Sequence, residues 1–374
     1  MTASARTGGG LPIFGPLSTP ARAFLLGTIA VSLVAIILDF VVGAGDTALF
    51  VVAAIGILGL AWTVGLSTER LGSLTGPQVG GILNATFGNI AELIIAFFAL
   101  QAGLIEVVKA SLTGSIIGNL LLVLGASVLV GGLRHGTQTF SRQIASSNAA
   151  LLVVALVGLF VPAVFAFTSD SGQGTVTEES VLVSVALIIG YGLSLAYAFT
   201  NPSATLGGHG EPAGHAGPAW SARGAIVVLI ASAALLAVLS EILVDSIDGF
   251  IEQFGLSEFF VGVVLIPTIG NLAEHLVAVQ LAFKNKMEFA MAVAYGSSLQ
   301  VALFVAPVLV LIGVLIGQPM DLVFTPLEVA AVGAAVGISA LIALDGESNW
   351  LEGALLIIVY AILAVSFFEF QQPV

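Results

Sequence analysis

The chain contains no cysteine. Disulfides and thiolate metal sites are therefore excluded, and redox compartment leaves no mark. Charge is scarce too, at 8% of 374 residues, where an ordinary soluble domain carries about a quarter. Basic residues are the scarcest: 9 Lys and Arg stand against 22 Asp and Glu, for a net charge of -13. Phosphate binding needs a basic face, so nucleic acid is excluded as a partner. No basic amphipathic stretch marks a lipid-surface binder. An acidic chain of this kind suits cations. Nucleotide and hydrolase motifs are also missing. There is no P-loop pattern and no HExxH, which argues against ATP-driven pumping and metalloprotease chemistry. Serines in the apolar segments have no His or Lys partner in an evident motif. The expectation is a protein that is not an enzyme and has no cofactor.

What the chain has is apolar length. Hydrophobic residues make up 58% of it, and the mean hydropathy is +1.13. Long unbroken runs exclude a transmembrane barrel, which alternates. A spanning helix needs about 20 apolar residues. Eleven segments qualify: 23-44, 47-66, 77-101, 110-132, 143-168, 180-199, 223-244, 258-282, 288-316, 326-344 and 351-369. The predicted fold class is an all-α integral membrane protein with about eleven transmembrane helices in membrane lipid. The first segment is too long for a signal peptide, and another follows almost at once.

Basic residues set the expected orientation. Arg6, Arg22, Arg70, Arg134, Arg142, Arg223, Lys284 and Lys286 fall on one side, and Lys109 alone on the other. The N-terminus is predicted cytoplasmic and the C-terminus outside. Lys109 is expected to snorkel from the outer end of its helix. The longest polar interruption, 200-222, is rich in Gly, Pro, Ser and Ala and reads as a cytoplasmic linker. His209 and His215 lie in it, without a third residue to complete a metal site.

An internal repeat organises the rest. Gly88-Asn89-Ile90-Ala91-Glu92 recurs as Gly270-Asn271-Leu272-Ala273-Glu274, 182 positions later. The same offset maps Gly80 to Gly262, Thr86 to Thr268, Ala96 to Ala278, Gly114 to Gly296 and Ser115 to Ser297. Whole segments pair at this offset in two sets of five. An odd number of crossings per unit gives the units opposite orientation, a hallmark of secondary transporters. The predicted organisation is a cytoplasmic 1-22, an extra helix 23-44, a first five-helix repeat 47-199, the linker, and a second repeat 223-369.

Glu92 and Glu274 occupy equivalent places in the two repeats. A carboxylate at the bilayer centre costs about 2.5-3.5 kcal/mol on insertion scales, so each is expected to face protein or a wet cavity. Two carboxylates in one small site cannot both stay ionised without a cation. They would hold either a divalent cation or protons, which is exchanger chemistry. Gly81, Asn84, Ala85, Gly88, Asn89, Glu92, Ala96 and Ala99 share one helical face of small and amide residues. Ser111, Gly114, Ser115, Gly118 and Asn119 do the same on the next helix, and Gly296, Ser297 and Gln300 on its counterpart. All-oxygen ligands suit Ca²⁺. A small-residue face by itself is ordinary packing, and a lone intramembrane Glu can be a protonated, hydrogen-bonded acid. Two at equivalent positions, each after Gly-Asn, argue for a site. Asp39 and Glu241 are further acids in apolar surroundings. His275 lies about 100° round the helix from Glu274, where it either tunes the site or sits as a core histidine.

These residues resemble the calcium/cation antiporter superfamily, and most closely its cation/proton exchanger branch, the H⁺/Ca²⁺ antiporters. The likeness rests on GGILNATFGNIAELIIAFFAL and GLIEVVKASLTGSIIGNLLLVLG (within 80-125). It rests equally on GLSEFFVGVVLIPTIGNLAEHLVAVQLAFKNKMEFAMAVAYGSSLQVALFVAPVLVL (255-311). It implies a ten-helix core and Ca²⁺/H⁺ exchange, with Ca²⁺ and protons as the transported partners. Glu92 and Glu274 would be the Ca²⁺ carboxylates, completed by backbone carbonyls near Ala85, Gly88, Pro267 and Gly270. Asn89, Asn271, Ser115, Ser297, Asn119 and Gln300 would line the cavity and proton path, with His275 matching the family's Glu-His pair. The family often carries an acidic segment between its halves, whereas this linker holds only Glu211. The short chain implies a prokaryotic plasma-membrane member. Na⁺- or K⁺-coupled exchange and a passive cation channel are the competing readings. Oligomeric state leaves no signature in the sequence.

Overall fold

A computed structural model describes residues 19-75, 80, 83, 86-168, 173-201 and 220-369. In chain order the helices are α1 (Thr19–Ile37), α2 (Asp46–Thr75), α3 (Ile90–Gln101), α4 (Ile105–Ile117) and α5 (Leu124–His135). Next come α6 (Arg142–Thr168), α7 (Gln173–Thr200), α8 (Ala222–Asp245), α9 (Ile247–Phe254) and α10 (Glu258–Phe260). The last are α11 (Ile266–Phe283), α12 (Met287–Gln300), α13 (Ala306–Ile316), α14 (Pro326–Ile342) and α15 (Trp350–Glu369). Short π turns fuse several of them. Gly118–Val123 joins α4 to α5, Val261–Leu265 joins α10 to α11, and Val301–Val305 joins α12 to α13.

Among the described residues nine helical stretches are long and apolar enough to cross a membrane. Two of the expected segments are shorter apolar helices, α3 and α14. The expected helix 77-101 is not continuous. Thr86 and Phe87 are helical, Gly88 and Asn89 form a turn, and the helix starts again at Ile90. The chain is an integral membrane protein. Its outer helices expose Leu33, Phe160, Leu193 and Ile362. That pattern suits a lipid solvent, where apolar surface carries no penalty.

Small residues set how closely the inner helices approach. On α2, a Cβ added to Gly56 would lie 2.4 Å from Leu239 Cδ1 of α8. The two helices run together along their lengths. One continuous core joins both halves of the chain and includes Ala53, Ile57, Ile95, Ala110, Leu239 and Ala294. A satellite cluster of Val64, Leu71, Trp220, Ala225 and Leu229 closes one end of the α2/α8 pair. At the expected cytoplasmic side a two-residue ladder, β1 (Gln138–Thr139) with β2 (Glu347–Ser348), ties two loops antiparallel. The Gln138 amide there donates to the Ala282 carbonyl at 3.1 Å and to Asn285 Oδ1 at 2.9 Å, holding the C-terminal end of α11.

Candidate ion-binding site

The site lies where α3 and α4 meet α11 and α12. Glycine makes the meeting possible. A Cβ on Gly114 would fall 2.0 Å from the Val263 carbonyl oxygen and 2.6 Å from Pro267 Cγ. A Cβ on Gly262 would fall 2.6 Å from that of Ala110. Pro267 has no N–H to serve the Val263 carbonyl four residues earlier. The π turn just before α11 accommodates that lost bond.

Within this contact, amides and hydroxyls of the two repeats bond crosswise. Ser297 Oγ donates to Asn89 Oδ1 at 2.8 Å. Asn271 Nδ2 donates to Ser115 Oγ at 3.2 Å and to the Pro267 carbonyl at 3.1 Å. The Asn of each repeat thus meets the Ser of the other. Asn119 Nδ2 donates to Ser297 Oγ at 2.9 Å, and the Asn89 amide also donates to Gln300 Oε1. Asn89, Asn119, Asn271, Ser115 and Ser297 are all buried. Sequence reasoning selected these residues but not their crossed pairing, which depends on how the halves dock.

Glu92 projects from the first turn of α3, is 9% exposed, and lies against the second repeat. A Cβ on Gly270 would meet Glu92 Oε1 at 2.9 Å, so the carboxyl rests on a bare Cα. Its Oε2 finds no hydrogen-bond partner among the described residues, and neither does the buried Oδ1 of Asn271. Glu274 follows Gly270 by one turn of α11, half-buried, and repels Glu92 as a like charge. Two unpartnered buried oxygens and a neighbouring carboxyl make a demand that a cation or a proton meets. Among the described residues no three His, Cys, Asp or Glu converge on one point. A cation here would draw on two carboxyls and neutral oxygens.

The remaining expected residues are distributed unevenly. Gly88 is in the turn before α3, Pro267 and Gly270 are buried on α11, and His275 is half-buried beside Glu274. Ala85, Gly81, Asn84, His209 and His215 lie outside the described residues. The single helical face from Gly81 to Ala99 is corrected by the turn at Gly88-Asn89. Glu241 is exposed and Asp39 is partly exposed in a π turn.

Lys109 is a second correction. It does not snorkel but is 6% exposed, and its Nζ meets Asp321 Oδ1 at 2.6 Å and the Val323 carbonyl at 3.0 Å. A partner inside the protein replaces water. Sequence reasoning also passed over Glu328, which is 1% exposed at the start of α14. Its signal was present as Thr325-Pro326-Leu327-Glu328, a capping-box pattern. The box forms, with Glu328 N donating to Thr325 Oγ1 at 3.3 Å and Thr325 N donating to Glu328 Oε2 at 2.9 Å.

The family model described as sodium/calcium exchanger protein matches residues 45–200 and 224–368. The chain belongs to that family. It is 44% identical over 340 residues to the Ca(2+)/H(+) antiporter of Aphanothece halophytica, covering 86% of this chain and 90% of that one. To the Ca(2+)/H(+) antiporter ChaA of Bacillus subtilis strain 168 it is 43% identical, covering 86% and 92%. Among solved structures, native YfkE superposes with a TM-score of 0.80 at 39% identity, covering 93% of this chain and all of the other. The H+/Ca2+ exchanger CAX shares the fold, with a TM-score of 0.72 at 15% identity.

Proposed function

We propose that the chain exchanges cytoplasmic Ca²⁺ for protons across the membrane, with Glu92 and Glu274 binding one or the other. The observation that carries this is the Glu92 carboxyl, buried on the bare Cα of Gly270 with one oxygen unpartnered among the described residues and Glu274 near enough to repel it. A divalent cation between the two carboxyls cancels the repulsion. Protons cancel it equally well by neutralising them. The two loads therefore exclude each other, and each empties the site of the other. Backbone carbonyls near Ala85, Gly88, Pro267 and Gly270 complete the cation's oxygen shell. Asn89, Asn271, Ser115, Ser297, Asn119 and Gln300 hold that shell in place, and His275 borders the proton path. Relatives named Ca²⁺/H⁺ antiporters, at 43–45% identity, support the choice of ions.

Access alternates as α2 and α8 slide across the site, one from each inverted repeat. The second of these follows the linker 200-222. The N-terminus faces the cytoplasm, as the basic residues predict, and the proton gradient drives Ca²⁺ outward.

The test is ⁴⁵Ca²⁺ uptake into proteoliposomes under an imposed pH gradient without Na⁺. The expected result is uptake that follows the pH gradient and is abolished in Glu92→Gln and in Glu274→Gln, both still folded. Normal transport by either variant contradicts the site. Uptake that needs Na⁺ contradicts proton coupling, and flux indifferent to both gradients indicates a channel.

A further inference from the structure

Helix α4 carries two polar faces. Ser115 points to Asn271 and the site, whereas Thr113, about 200° away round the helix, points behind it. There Thr113 Oγ1 donates to Glu328 Oε1 at 3.0 Å. The other oxygen of Glu328 accepts from Thr325 N and Thr325 Oγ1, each at 2.9 Å. The carboxyl is thus saturated by three donors and completely enclosed. It is the wrong environment for a transported ion and the right one for a fixed joint.

The second repeat has a matching joint. At the 182-residue offset Thr113 corresponds to Tyr295. Tyr295 OH donates to the Ser339 carbonyl at 2.7 Å. Both repeat-equivalent residues therefore attach to the same helix, α14, one at its first turn and the other near its end. The two helices that bear Ser115 and Ser297 are referenced to a common strut. The joints differ in one respect: Tyr295 uses a backbone carbonyl, while Thr113 depends on a replaceable side chain.

From this we infer that Glu328 is a positioning residue for the ion site. Through Thr113 it fixes the rotation of α4, and so the approach of Ser115 to Asn271 one turn before Glu274. The inference rests on the site proposed above. It assigns Glu328 a hydrogen-bonding duty and no part in carrying ions.

Thr113→Val tests it most cleanly, because the capping box of α14 stays intact. In the proteoliposome assay it is expected to raise the KM for Ca²⁺ at least fivefold, with Vmax within twofold and the thermal midpoint little changed. Glu328→Leu is expected to raise KM at least as much. Adding Thr113→Val to it should bring no further rise, since both remove one link. Glu328→Gln is expected to restore the KM of the parent chain. Its carbonyl oxygen accepts from Thr325, and its amide donates to the Thr113 hydroxyl. A KM within twofold of the parent in Thr113→Val overturns the inference. So does a Glu328→Gln as impaired as Glu328→Leu, which would make charge the property that matters. Glu274→Gln in parallel separates the two readings: normal transport there removes the proposed site, whatever Thr113→Val does.

Discussion

Glu92 and Gly270 are one unit although 178 residues separate them. The carboxyl occupies the space that any side chain at 270 would take, with the nearest approach 2.9 Å from the position of a Cβ. Gly270→Ala therefore displaces the carboxyl rather than the backbone, because the carboxyl end is the part that can yield. The expected outcome is loss of Ca²⁺ uptake with a thermal midpoint close to that of the parent chain. Uptake and thermal unfolding measured on one preparation check both halves of that statement. Sequence reasoning singles out the two proposed carboxyls for one reason. An acid in an apolar helix is costly, so Glu92 and Glu274 stand out without any knowledge of the fold. It reached Lys109 and Glu328 poorly. Whether a charged group near a helix end turns to water or to a partner depends on segments far along the chain, here Asp321 and Thr113.

At the scale of elements, the site depends on interruptions in helices. The π turns Gly118–Val123 and Val301–Val305 follow the two serine-bearing helices at nearly corresponding places in the repeat. Such turns are rare and concentrate at functional sites. A third precedes Pro267, where a carbonyl has lost its N–H partner and Gly114 comes close. Gly114→Ala has no flexible neighbour to push, since the contacts are the Val263 carbonyl at 2.0 Å and the Pro267 ring at 2.6 Å. It is expected to destabilise the protein by about 1–3 kcal/mol through overpacking. The check is a lowered thermal midpoint or loss of the monodisperse peak on gel filtration. The interruptions were only partly legible. Gly88-Asn89 and Pro267 lie at two of these interruptions, yet the reading of 77-101 and 258-282 as single segments took neither as a break. The π turns have no shared sequence signature: glycine occurs at 118 and 262, and Val301–Val305 has none. The small-residue face from Gly81 to Ala99 misled, because periodicity alone cannot register a break.

For the whole molecule, apolar composition and the 182-residue repeat made the membrane class and the pairing of halves legible. Helices in lipid satisfy their own backbone, so hydropathy carries most of the information about what spans. The docking of one half on the other was not legible. The crossed Asn–Ser bonds and the Thr113–Glu328 bond to α14 join residues 156 to 215 positions apart. No local pattern encodes them. At this scale the central proposal is that a single pair of carboxyls holds either Ca²⁺ or protons. Calorimetric titration of the purified protein with Ca²⁺, in two buffers of different ionisation enthalpy at one pH, tests it most directly. The account predicts that the heat differs between buffers because Ca²⁺ displaces protons from Glu92 and Glu274, and that Glu92→Gln removes that difference. Tight Ca²⁺ binding with the same heat in both buffers would contradict it.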